Sequence, residues 1–513
     1  MEPVAPPELV RLPAGGTEPF EPERIARSLF AAAERIGAAD PFLARELTEG
    51  VVHFLAAECD GRPATPIQIA EVVAKVIREL GHPALAKAFE ERPREVSPSP
   101  NLPATPRPSP KLPAWLDPSS PDDRVRRAAA AERLTELSIA EIYPRDLVSA
   151  HHEGLIRLTG LDAPLEIAGT VYRTSDDNVP HIIRAHRSIA GGFLAFDCPE
   201  YEFSLREKTP EMMDFISDVV DATRETGFKT VLNLNCGSPP RGYEELTGPL
   251  FGLTAAESPS NLRAKMAEEL LFFGEEGRSF WHVAASDFDA TPSRLNRPIE
   301  LSLSGRAIEF VFDRPKQPVV LGPGLDRKTP ATLCLVGVNF GRLVEQMGGG
   351  PVDPDVFLRK VGSLGRFAKT AGHVKQDFLR KYGRDSLREG FLLERARIVV
   401  VPTGLEIAAT SCSRPAIEFG RQILQTLRIA LESDRPRAMP VRVDSPVDDG
   451  GGISPIDPAA TPKQQVRVAS AWHAAAGGGC ATIALPSADP AVALEILKSA
   501  WQGDVVRLRF VVG

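Results

Sequence analysis

From Arg92 to Pro121 the chain reads RPREVSPSPNLPATPRPSPKLPAWLDPSSP. Each proline fixes φ and removes an N–H donor, so no helix and no central strand runs through this stretch. It reads as an extended, semi-rigid spacer. One continuous body is therefore excluded. Residues 1–92 form a small domain, 93–121 a linker, and 122–513 a much larger domain.

Composition narrows the classes. Acidic residues number 68 and basic residues 60, a net charge of −8, so no global positive field draws the chain to nucleic acid or to an anionic membrane. No apolar run approaches the ~20 residues that span a bilayer. The start, Met1-Glu2-Pro3-Val4, lacks the basic-then-apolar order of a secretory leader. The six cysteines stand alone at 59, 198, 236, 334, 412 and 480, which argues against a disulfide scaffold or a small zinc module. A cytoplasmic protein with reduced thiols is expected.

The small domain reads as helical. Ile25, Leu29, Ala33 and Ile36 recur at helical spacing, as do Leu43, Leu47, Val51 and Phe54 or Leu55. Thr65-Pro66-Ile67-Gln68 opens a third helix with an N-cap, a proline at the first turn and a capping box. Pro83–Glu91 gives a fourth. Ahead of them Glu8–Leu12 and Glu18–Phe20 flank Gly15-Gly16 as a short hairpin.

The large domain alternates strands with helices. Strands are expected at 155–158, 230–234, 280–284, 333–338, 398–401, 481–485 and 505–510. Helices are expected at 210–226, 261–273, 354–381, 416–431, 462–476 and 490–501. Thr209-Pro210, Thr461-Pro462 and Asp489-Pro490 each pair a capping residue with proline. Such alternation predicts an α/β fold with a largely parallel sheet under helices. Residues 299–303 and 307–312 around Ser304-Gly305 read as an antiparallel hairpin insert.

Val10, Gly15, Phe20, Glu21, Arg24 and Ile25, with Thr65-Pro66, Ile67, Val72 and Ala86–Phe89 further on, resemble the ATP-cone, the allosteric nucleotide-binding domain of many ribonucleotide reductases. The resemblance implies ATP or dATP as ligand and a site built from Val10, Arg11, Gly15, Gly16, Phe20, Arg24, Ile25 and Arg27. Where that family carries lysine–arginine–aspartate, this chain has Leu12-Pro13-Ala14, leaving Arg11 as the basic residue of the strand.

The large domain resembles the anaerobic (class III) ribonucleotide reductases. The motifs are Ala150-His151-His152-Glu153-Gly154 through Leu161-Asp162, Leu335–Arg342, Pro402-Thr403-Gly404-Leu405-Glu406, and Trp472–Val512. Their shared order implies a large ten-stranded α/β barrel of the ribonucleotide reductase/glycyl-radical type. The family's chemistry needs a glycyl radical near the C-terminus, a four-cysteine zinc site and a thiyl cysteine on a central loop. The corresponding loop, Pro318–Gly324, has no cysteine, nor does Ala163–Thr170. Leu508–Gly513 carries no arginine–x–x–glycine–tyrosine segment. No zinc site and no glycyl radical are expected, and a catalytically inactive relative with a regulatory or scaffolding role follows. A homodimer or a complex with a genuine reductase is the expected assembly.

Two other functions compete. One is an active ribonucleoside-triphosphate reductase whose radical comes in trans. The other is a barrel enzyme repurposed around Cys236, in Asn233-Leu234-Asn235-Cys236-Gly237-Ser238 at a strand's end, with His282 as base. Cys334 reads as core, His151 and His152 as packing at a helix end, and Gly348–Gly350, Asp448–Gly452 and Gly477–Gly479 as turns.

Overall fold

A computed structural model describes residues 9–11, 16–59, 63–90, 123–173, 190–197, 229–235, 278–288, 295–383, 387, 392–432, 439–446, 453–454 and 460–512. Contacts divide the chain into two units, Met1–Arg133 with Ile139–Gly154, and Leu134–Ser138 with Leu155–Gly513.

The first unit opens with strands β1 (Leu9–Arg11) and β2 (Thr17–Pro19), antiparallel with Val10 opposite Glu18. Helices α1 (Pro22–Arg35), α2 (Pro41–Cys59), α3 (Pro66–Glu79) and α4 (Pro83–Glu90) follow. Thr65 and Gln68 form the expected capping box. Both α1 and α3 end at glycines with positive φ, Gly37 at 69° and Gly81 at 87°. At each end the residue beyond the glycine closes the last turn: Ala38 N–H donates to Ala33 O and His82 N–H to Ile77 O. Only glycine takes this left-handed cap without penalty. The helices enclose one apolar core that includes Leu29, Leu47, Val51, Leu55, Val76 and Ile77. The chain continues into α5 (Asp123–Leu137) and then α6 (Arg145–His152). Helix α6 packs on α1 and α2, so it shares a unit with the small domain, which the composition boundary at residue 122 does not convey.

The second unit is the ten-stranded barrel. Its strands are β4 (Ile167–Arg173), β5 (Ala190–Asp197), β6 (Lys229–Leu234), β7 (Arg278–Val283), β8 (Ile308–Phe312), β11 (Ala331–Asn339), β12 (Ala396–Thr403), β13 (Val441–Val443), β14 (Cys480–Leu485) and β15 (Arg507–Val512). Strands β4 to β8 run parallel in chain order, while β11–β12–β13 and β15–β14 run parallel within themselves. The two groups meet antiparallel at β4–β11 and β8–β15. Between β13 and β14 the ring closes through a side chain: Cys480 N–H donates to Ser445 Oγ at 2.8 Å. A further strand, β3 (Ile156–Leu158), pairs antiparallel with β11. Near-continuous apolar runs such as Val231–Leu234 are buried on both faces, as parallel strands under helices require.

The outer layer includes α7 (Asn296–Leu303), α8 (Phe340–Gln346), α9 (Pro354–Tyr382), α10 (Leu405–Thr410), α11 (Ala416–Leu431), α12 (Pro462–Ala476) and α13 (Pro490–Gln502). Four of the expected helices thus form at their predicted places; the expected helices at 210–226 and 261–273 lie outside the described residues. The hairpin insert expected at 299–312 is not formed. Its first arm is α7, and Ser304-Gly305 is a helix end: Arg306 N–H donates to Leu301 O, Gly305 N–H to Ser302 O, with Gly305 at φ 98°. The glycine signal was that of a C-cap rather than a strand turn. The second arm, β8, pairs with β7 and β15.

Candidate functional site

The first candidate lies on the β1–β2 ribbon and the start of α1. Val10, Phe20 and Ile25 are buried in the domain core. Arg11 N–H donates to Ala64 O at 2.8 Å, fastening β1 to the start of α3; its side chain is exposed, and its backbone stands opposite Thr17 in the ladder. Side chains alternate along a strand, so Arg11 and Thr17 share the face opposite Val10 and Glu18. Arg24 is exposed and forms an ion pair with Glu18. Arg27 is exposed one turn on, its Nε donating to Glu23 O. Arg24 and Arg27, three apart, are neighbours on the helix surface. Gly16 has φ 100° and open space where a Cβ would stand. Gly15 lies outside the described residues. Arginine forks beside an exposed glycine turn are donors suited to phosphate oxygens.

The second candidate is the barrel interior. Strands β9 (Val320–Gly322) and β10 (Leu325–Asp326) form a hairpin that packs against β4, β5 and β6. Leu321 and Leu325 join Phe193, Val231 and Phe280 in one buried cluster. The tip, Gly322-Pro323-Gly324, is buried, and its polar groups are held by the surrounding strands. Asn233 donates to Leu321 O and Phe196 O, each at 3.0 Å. Thr332 Oγ1 donates to Pro323 O at 2.6 Å, Gly324 N–H to Asp444 Oδ2 at 3.1 Å, and Arg397 to Gly324 O at 2.9 Å. A Cβ on Gly324 would stand 2.3 Å from Val399 Cγ2, so the tip has no room for a side chain there.

A buried charge chain braces this hairpin. Arg507, with a fully buried side chain, bonds Glu309 Oε2 and Asp444 Oδ1 at 2.8 Å each and lies 5.0 Å over the Phe280 ring. Glu309 is shared with Arg278, and Asp444 with Arg442 at 3.6 Å. Opposing effects act on Asp444: burial raises its pKa, but Arg507, Arg442 and the Gly324 and Ser445 N–H groups hold it below the usual carboxylate range. Of these residues only Arg507 falls in a motif stretch singled out above, Trp472–Val512; the signal available in the sequence was charge inside strand-like runs, as with Arg507 next to Leu508.

His282, offered above as a base for Cys236, is fully buried with both ring nitrogens engaged, Nδ1 with Asp313 at 3.0 Å and Nε2 with Asn233 Oδ1 at 3.0 Å. Cys236 itself lies outside the described residues. Cys334 is buried in β11, where burial pushes its thiol up to about 12, and burial raises Cys480 also. Neither is a thiolate near neutrality, the form a nucleophile needs. Among the described residues no group of three or more His, Cys, Asp or Glu is placed to hold a metal ion, and no helix is long and apolar enough to cross a membrane.

The small helical unit with its hairpin is of the nucleotide-cone class, and the large one is a ten-stranded barrel of the ribonucleotide reductase/glycyl-radical type. Residues 9–91 match the family model of the ATP cone domain. No curated protein matches the chain. Among solved structures it is similar to the anaerobic ribonucleotide reductase from Thermotoga maritima with dATP bound in the specificity site. The identity is 12%, the TM-score 0.55, with 75% of this chain and 82% of that chain covered. The same enzyme in complex with dATP and CTP gives 12% identity and a TM-score of 0.53 over 75% of this chain and 81% of that chain. At this identity the likeness is one of fold.

Proposed function

We propose that the chain is a nucleotide-sensing protein in which the cone binds ATP or dATP and the reductase-type barrel serves as scaffold or regulator without radical reduction. The observation that carries this reading is the central hairpin. Hydrogen abstraction from a ribose needs a sulfur radical facing substrate, and the hairpin tip is Gly-Pro-Gly, packed and hydrogen-bonded on its polar atoms by the chain's own side chains. Nucleotide binding is supported by the cone match at residues 9–91 and by the exposed Arg11, Arg24 and Arg27. A second copy of the chain or a complete reductase is the partner such a scaffold would serve.

Calorimetry tests the sensing half. Saturable heat with ATP or dATP, weakened in Arg11→Ala and Arg24→Ala, supports it; no heat with either nucleotide removes it. An anaerobic assay tests the other half, with an activating enzyme and a glycyl-radical protein supplied in trans. Deoxyribonucleotide formation from ribonucleoside triphosphates above the background of those additions would reverse the reading in favour of an active reductase.

A further inference from the structure

Strands β6, β7 and β8 run side by side in parallel, with Asn233 opposite Phe280 and His282 opposite Val311. Near their C-terminal ends three polar side chains form a line across them. Asn233 and His282 are fully buried. Asp313 follows β8, its N–H donating to Val283 O at 2.9 Å, and its side chain is 18% exposed. Asn233 Nδ2 donates to Phe196 O and to Leu321 O, each at 3.0 Å. Asn233 Oδ1 lies 3.0 Å from His282 Nε2, and His282 Nδ1 lies 3.0 and 3.1 Å from the two carboxylate oxygens of Asp313. The line therefore runs from a part-exposed acid to the carbonyl of Leu321 in the central hairpin.

The donors and acceptors of this line do not balance around a neutral histidine. An amide nitrogen has two hydrogens, and the amide oxygen only accepts. Turning the Asn233 amide over would set its oxygen against two carbonyls and lose both bonds, so β5 and the hairpin fix its orientation. Nε2 then faces an acceptor and must donate. Nδ1 faces a carboxylate and must donate as well. A neutral imidazole has a single N–H, so the line holds one proton more than a neutral ring beside a carboxylate supplies. Imidazole is a stronger base than carboxylate, about 6.5 against about 3.9 in ordinary pKa, and the extra proton belongs on the ring. The charged groups around it are engaged elsewhere. Glu309 of β8 pairs with Arg278 and Arg507, and Asp197 at the end of β5 pairs with Arg327. Arg314 donates to carbonyls at the end of α13. Asp287 accepts from Ala284 N–H and from Asn235 Nδ2, which also donates to His282 O. Among the described residues Asp313 is the carboxylate on the ring.

We propose that Asn233, His282 and Asp313 form a proton-operated lock on the central hairpin, with His282 an imidazolium paired to Asp313. Loss of the ring proton to solvent leaves an N–H on Nδ1, where the carboxylate holds it, and a bare Nε2 against Asn233 Oδ1. The amide answers by turning its NH2 to Nε2, which releases Leu321 O and Phe196 O. Asn233 then no longer ties β9 to β5 and β6. The proton count thus selects between a tied and an untied hairpin, and the device works without any nucleotide.

Nitrogen-15 NMR of the histidine rings in the full chain tests it at about pH 8, where a free histidine has lost its second proton. His282 is identified as the ring whose signals move in Asp313→Asn. In the wild type both of its nitrogens should carry hydrogen; a bare nitrogen overturns the proposal. In Asp313→Asn the new amide can donate to Nδ1, so a neutral ring protonated at Nε2 satisfies the line and the lock stays closed. Opening of the hairpin is read from exchange of the Gly324 amide, as the ratio of the wild-type rate to that of Asp313→Asn, which cancels the direct effect of pH on exchange. That ratio should rise at least about fivefold between about pH 7 and about pH 10, as two hydrogen bonds are given up. A ratio that stays constant overturns the lock.

Discussion

Replacing Arg507 by methionine keeps most of the apolar stem and removes the cation lying between Glu309 and Asp444. The guanidinium bonds each carboxylate at 2.8 Å and donates to Ser445 O at 3.1 Å, with neither acid more than 2% exposed. Stranding a buried charge by removing its partner costs about 3–5 kcal/mol. Glu309 keeps Arg278, and Asp444 keeps the Ser445 and Gly324 N–H groups, which holds the loss within that range. The lost cation–π contact with Phe280 adds about 0.5–1 kcal/mol. For a domain of several hundred residues that is a fall in melting temperature of roughly 3–8 °C. Scanning calorimetry of the full chain, on the transition assigned to the barrel, reads it directly. Adding Glu309→Gln and Asp444→Asn should restore at least half of the loss, because the stranded charges are then gone. A single variant within about 1 kcal/mol of wild type would mean that solvent reaches these carboxylates, and the picture of a filled, braced interior would be wrong.

Further outcomes follow from the same interior. Burial pushes His473 down to about 4, while an unfolded histidine titrates near 6.5, so the unfolded state binds the extra proton as pH falls from about 6.5 to about 4. Up to about 3 kcal/mol of stability is lost across that window, and the loss should be absent in His473→Gln when urea midpoints are compared at pH 7 and 4.5. Lys375, buried and donating to Pro164 O, is pushed down to about 8 by burial. Between about pH 8 and 10.5 the unfolded state holds the extra proton, so the wild type should gain stability relative to Lys375→Met as pH rises; a constant difference would contradict it. Gly324→Ala, at φ 69° and against Val399, should cost about 2–4 kcal/mol in a urea titration, and a neutral result would show an open tip. Arg314 donates to Ala500 O, Trp501 O, Gly503 O and Val505 O around the end of α13, and Arg314→Ala should speed amide exchange in the last turn of α13.

Helices with strong punctuation were legible from sequence. Thr65-Pro66, Thr461-Pro462 and Asp489-Pro490 marked starts that the structure keeps, since a cap and a proline act locally. Strands β4 and β5 were missed because glycines dilute their apolar pattern. Those glycines serve tertiary packing: a Cβ on Gly169 would meet Phe193 Cε1 at 2.3 Å, and one on Gly192 would meet Ala168 O at 2.3 Å. Strand β13 was too short to register. The cone residues could be named from a motif, but only the fold separates core positions such as Val10 and Phe20 from the exposed arginines. The charge chain of Arg278, Glu309, Arg507, Asp444 and Arg442 was not legible, because its members lie far apart in sequence and pair only once the barrel closes. The bonds joining Asn233, His282 and Asp313 were hidden for the same reason.

The most direct measurement is nucleotide stoichiometry, by equilibrium dialysis of labelled dATP and of a labelled ribonucleoside triphosphate against the wild type and an Arg11→Ala/Arg24→Ala variant. On the proposed reading, which puts the nucleotide site in the cone, nucleotide should be retained by the wild type and lost from the variant. Ribonucleotide still held by the variant at one per chain would place a ligand in the barrel and contradict the account.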